Sequence, residues 1–107
     1  MKFNISKKVY SSEITDKQFS KLLRRVSLKR PVKDLYVVTP PLYEAGIMEI
    51  YNYNELLQPF YRKQKQRLDI YGIAKSRDAA KQIVCDILED AYRELGGPDI
   101  KGLFADG

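Results

Sequence analysis

The sequence predicts an α+β fold: a two-layer sandwich in which an antiparallel sheet of three to four strands carries two helices on one face. Three observations lead there. Short β-branched and aromatic runs sit between turn signals. Two segments place apolar residues at helical spacing. Their order along the 107 residues is β-α-β-β-β-α, and strands in a run with helices packed on one side form an α+β layer pair.

Lys2–Tyr10 alternates, with Phe3, Ile5 and Val9 on one side, and reads as a strand. Thr15 is placed to cap a helix, because Thr15-x-x-Gln18 has capping-box spacing and Asp16 in the first turn complements the helix dipole. Phe19, Leu22, Leu23 and Val26 fall on one helical face, and Pro31 stops any continuation. Leu35–Thr39 reads as a strand. Pro40-Pro41 and Glu44-Ala45-Gly46 connect it to a second strand at Ile47–Tyr53, as in a hairpin. Asn54–Arg67 is polar, contains Pro59 and reads as an irregular loop, followed by a strand at Leu68–Ala74.

The final helix has Ser76 as its cap. Its apolar stripe runs through Ala80, Ile83, Val84, Ile87, Leu88, Ala91, Tyr92 and Leu95, and Gly96-Gly97-Pro98 ends it. The expected organisation is one domain over 1–98 and a C-terminal tail over 99–107, which Ile100, Leu103 and Phe104 could dock back.

Composition narrows the chemistry. There is no histidine and one cysteine, so Ser-His-Asp and Cys-His machinery and the usual transition-metal ligand sets are excluded. Neither a GxxxxGK[ST] nor a GxGxxG run occurs. The expectation is a binding protein, not an enzyme, with no cofactor. A single cysteine fits a reducing compartment, hence a cytoplasmic location. No apolar run approaches the ~18 residues needed to span a membrane, and Met1–Tyr10 has no signal-peptide apolar core.

Strand alternation carries the leading functional expectation. With Met48, Ile50, Leu68, Ile70 and Ala74 turned to the helices, the far face presents Tyr51, Tyr53, Tyr71 and Ile73, joined by Tyr36. Such a tyrosine-rich patch suits a protein–protein interface, here a homodimer or another protein. The competing expectation is nucleic acid. The chain carries +5 overall, but residues 1–35 hold 10 Lys/Arg against 3 Asp/Glu. Lys21, Arg24, Arg25 and Lys29 in the first helix, and Arg62, Lys63, Lys65 and Arg67 in the loop after Phe60-Tyr61, are candidate phosphate contacts.

From the first helix onward the order is α-β-β-β-α. With the junction Gly72-x-Ala74-x-Ser76-Arg77-x-x-Ala80-Lys81, it resembles the double-stranded-RNA-binding domain over roughly Thr15–Leu95. That resemblance implies Arg77 and Lys81 as phosphate contacts. Asp78 stands where the family has a lysine, the family's hairpin histidine is missing, and the first strand is additional.

Remaining motifs have ordinary explanations. Pro40-Pro41-Leu42-Tyr43 matches a WW-domain ligand but also serves as turn punctuation. Asp86, Glu89 and Asp90 share a helix face and read as solvated. Cys85, at the edge of the apolar stripe, is expected to be half-buried and inert.

Overall fold

All six elements expected from the sequence are present, and three short helices are added to them. The computed structural model describes residues 1–42 and 46–104. In chain order the elements are β1 (Lys2–Ser12), α1 (Asp16–Ser27), β2 (Tyr36–Thr39), β3 (Glu49–Asn52), α2 (Tyr53–Leu56), α3 (Pro59–Arg62), β4 (Arg67–Ala74), α4 (Arg77–Leu95) and α5 (Ile100–Leu103). The class is α+β. The four strands form one sheet in the order β1-β4-β2-β3. It is mostly antiparallel but mixed, because β1 runs parallel to β4.

Local chemistry accounts for the helix ends. Thr15 Oγ1 accepts from Gln18 N at 3.2 Å while Thr15 N donates to Gln18 Oε1, completing the capping box. Ser76 Oγ accepts from Ala79 N at 3.1 Å and opens α4. Gly96, at φ 75°, closes it in the left-handed conformation that a side chain would resist.

The two long helices lie on opposite faces of the sheet, not on one. Leu22 and Val26 of α1 pack with Val37, Leu68, Ile70 and Ile73. Ala79, Ala80, Ile83, Ile87 and Ala91 of α4 pack with Val38, Tyr71 and Ala74. Val37 and Val38 are consecutive in β2, so their side chains point to opposite sides, and both are fully buried.

Strict alternation fails in the strand at the centre. Leu68, Ile70 and Ile73 belong to the α1 side, Tyr71 and Ala74 to the α4 side. A Cβ on Gly72 would lie 2.7 Å from Ile83 Cγ2, so Gly72 faces α4 as well. Two consecutive residues therefore point the same way, which is the signature of a bulge. The pairing with β1 breaks at the same place, stepping from Ile5↔Ile70 to Tyr10↔Gly72.

The stretch expected as an irregular loop contributes to the core. Asn52 caps α2, whose Tyr53 and Leu56 are buried on the α1 side. Pro59 sits in the first turn of α3, where its missing N–H costs nothing. The tail docks as α5, burying Ile100 and Phe104 on the α4 side. Phe104 stacks on Tyr71 with ring centroids 4.0 Å apart and meets Tyr10 edge-on at 5.9 Å.

Candidate nucleic-acid interface

The expected tyrosine face does not exist as a surface. Tyr51, Tyr53 and Ile73 belong to the α1 side of the sheet, Tyr36 and Tyr71 to the α4 side. Tyr53, Tyr71 and Ile73 are buried, while Tyr36 and Tyr51 are half-buried. The covering layers are α1 with α2 on one side, and α4 with α5 on the other. Burial pushes the hydroxyls of Tyr51 and Tyr53 up to about 12, Tyr51 with help from a bond to Glu49. The Tyr53 hydroxyl has no hydrogen-bond partner among the described residues.

The cations, by contrast, come together. Apolar Leu22 and Val26 turn one side of α1 to the sheet, which directs Lys21, Arg24 and Arg25 to solvent. Lys21 and Arg25, with Gln18 and Leu22, form one wall of a cleft of about 260 Å³. Pro31, Val32, Lys33 and Lys75 complete it, so among the described residues four cations and no carboxylate line the cleft.

Its far wall is held by Asn54. Val32 N donates to Asn54 Oδ1 at 3.1 Å, and Asn54 Nδ2 donates to Val32 O at 2.8 Å. The Asn54 amide thus pairs with both backbone groups of Val32, as a neighbouring strand would. Lys75 Nζ donates to Lys33 O at 2.6 Å, which brings a cation from the end of β4 to the wall of the cleft.

Lys29 links the two basic clusters. α1 ends in a Schellman arrangement, with Lys29 N donating to Val26 O at 3.0 Å and Arg30 N to Arg25 O at 2.9 Å. Lys29 occupies its left-handed position at φ 56°, where glycine is usual. From there it lines a second cleft with Met1, Lys2, Phe3, Ser27, Gln64 and Lys65. It also lines a small recess with Leu56, Leu57 and Arg62. The Met1 ammonium donates to Arg62 O at 3.0 Å, anchoring the basic loop to the start of β1.

The other candidates are placed as follows. Arg24 and Lys63 are exposed and line none of these clefts. Arg67 lies 3.3 Å from Asp69 in an ion pair. Arg77 and Lys81 line a groove between α4 and β3 with Met48, Glu49, Ile50, Val84 and Cys85. That groove is on the opposite side of the sheet from α1, and Arg77 there lies over the Tyr36 ring at 5.3 Å. Cys85 is exposed, where half-burial was expected. Tyr43 of the Pro-Pro-Leu-Tyr motif lies outside the described residues.

Sequence reasoning did not assign Lys2 or Lys75 to the α1 surface. Neither sits in a basic run near α1, so no local signal links them to it. Among the described residues, no group of His, Cys, Asp or Glu is arranged to hold a metal ion, and no helix is long and apolar enough to cross a membrane. Comparison with protein-family models, with curated proteins and with solved structures gives no match.

Proposed function

We propose that the protein binds nucleic acid through its phosphate backbone, using the exposed side of α1 and the two clefts beside it. One observation carries the reading: Lys21, Arg25, Lys33 and Lys75 surround a single cleft that no carboxylate of the described residues lines. Lys29 extends the same charge toward Lys2 and Lys65. Convergent cations that make no ion pair among the described residues suit a polyanion, whose bound counterions are freed on contact. Phe60, 64 % exposed in α3 beside Arg62, offers an aromatic face on which a base can stack. The protein-interface reading lacks a comparable surface, because Tyr53, Tyr71 and Ile73 are buried and the half-buried Tyr36 and Tyr51 lie on opposite faces of the sheet. On this reading the protein is a binding module without catalytic activity, working in a reducing, cytoplasmic setting.

The test is fluorescence anisotropy with labelled single-stranded and duplex oligonucleotides at two salt concentrations. Four phosphate contacts on a duplex predict a loss of on the order of 100-fold in affinity between 50 and 200 mM salt. Lys21→Glu and Arg25→Glu should weaken binding across all sequences, and each lost contact should lower the salt slope by about one. Arg93→Glu, on α4, should leave it unchanged. Salt-independent binding, or full binding by the Lys21→Glu/Arg25→Glu double variant, would exclude the α1 surface.

A further inference from the structure

The recesses beside α1 are not lined by charge alone. Leu22, Pro31 and Val32 lie among the four cations of the first cleft. Met1 and Phe3 lie with Lys2, Lys29 and Lys65 in the second. Leu56 and Leu57 join Lys29 and Arg62 in the small recess. Large apolar side chains also stand exposed next to these cations in the chain. Leu28, 56 % exposed, directly precedes Lys29, and Phe60, 64 % exposed, shares α3 with Arg62. Gln64 Nε2 donates to Phe60 O at 3.4 Å, which ties the helical turn of Phe60 to a residue of the second cleft. Tyr61 meets the Phe60 ring at 90° with centroids 5.1 Å apart, and Tyr61 itself packs on the α1-side core. An anchored neighbour therefore holds the Phe60 ring at the surface.

Duplex and single strand make different demands of such a surface. A duplex keeps its bases stacked inside a stiff rod and presents sugars and phosphates outside. It would satisfy the cations and leave the apolar lining and Phe60 against water. A single strand offers phosphates together with unstacked bases, and its backbone bends to follow clefts at the flank and at the end of one helix. We infer that the α1 surface takes a single strand in preference to a duplex. Phe60 is the platform on which a base stacks, and Lys29 and Arg62 hold the flanking phosphates. No base is singled out, because every base has a π-face. The inference rests on the nucleic-acid reading and narrows it to unpaired strands.

The chain has no tryptophan, so Phe60→Trp installs a single indole reporter at the platform. The test compares a labelled single strand, its blunt duplex with the complement and an abasic strand of equal length. At equal salt the single strand should bind at least about tenfold more tightly than either, as one base–aromatic stack implies. It should also quench the introduced indole, which the duplex should not. Phe60→Ala should weaken the single strand by about tenfold and leave the duplex and the melting temperature unchanged, since the ring is mostly exposed. A duplex or an abasic strand that equals the single strand, or an indole unquenched at saturation, would each overturn the inference. If binding then still falls with salt and with the Lys21→Glu/Arg25→Glu double variant, the phosphate-backbone reading stands without it. Failure of every oligonucleotide to bind removes both readings. An indole shift with phosphatidylserine vesicles in that case assigns the surface to lipid headgroups.

Discussion

The two faces of the sheet are built differently. On the α4 side, the helix brings three buried alanines and two isoleucines against the sheet, close enough that Gly72 has no room for a Cβ. On the α1 side, the helix buries only Leu22 and Val26. The rest of that layer comes from Val32, Leu35, Tyr53 and Leu56 in the connecting segments. Small residues allow close approach of backbones, and large ones on loops fill space under a helix that is lightly held. The comparison separates two roles. α4 is a structural buttress, whereas α1 is a platform whose outer side is left free for charge.

Breaking the α4 side should cost most. Ile83→Ala removes a fully buried side chain and should destabilise the fold by about 2–5 kcal/mol in urea unfolding. Gly72→Ala, from the opposite partner, should cost about 1–3 kcal/mol by overpacking. If both were tolerated, α4 would not be seated as closely as described.

The α1 side should show the reverse sign in two places. Lys29 holds a left-handed conformation, so Lys29→Gly should stabilise the protein by about 1 kcal/mol. On the proposed function it should also weaken oligonucleotide binding, so unfolding and anisotropy measured on the same variant would move in opposite directions. Tyr53→Phe removes a buried hydroxyl without a partner and should raise stability by about 1 kcal/mol. A drop in melting temperature would mean that the hydroxyl has a partner, such as an internal water.

The smallest effect concerns pH and the join between β1 and α4. The Tyr10 hydroxyl donates to Asp90, which also pairs with Arg93. The Tyr10 bond holds the Asp90 carboxyl below its usual range against the opposing effect of burial, with the Arg93 charge adding to it. Tyr10 is raised, by burial first and then by its bond to Asp90. A lowered carboxyl contributes stability in full above its unfolded value of about 4, and loses it as pH falls toward the folded value. A raised phenol contributes in full below about 10, and loses it as pH climbs past that value. Tyr10→Phe should therefore flatten both limbs of the stability–pH curve. A curve superimposable on the parent's would show that the pair contributes nothing.

Local signals proved reliable where the physics is local. Thr15 with Gln18, Ser76 and Gly96 each place a helix end through groups within four residues of one another. Pro59 reads as a loop signal but serves as the first residue of a short helix, a position proline also favours. The alternation of β2 and β3 was legible, since both strands are regular. In β4 it was not, because the bulge at Tyr71 and Gly72 shifts every later side chain to the other face. The basic surface was legible as two charge clusters. Its junction at Lys29 depends on the Met1 ammonium holding Arg62, a contact 61 residues apart in the chain.

The sequence by itself determined the α+β class, the order of the main elements, the starts of both long helices, the end of the second and the concentration of positive charge in the first third of the chain. These follow from propensity, capping and composition, which act over a few residues. Tertiary structure alone decided that α1 and α4 take opposite faces, that β1 joins β4 in parallel, and that Tyr53 and Tyr71 become core. Apolar periodicity states that a helix must bury one side, but not against which face of a sheet. That choice is made when α2, α5 and the two long helices together leave no apolar face of the central strands exposed, a condition set by the whole chain.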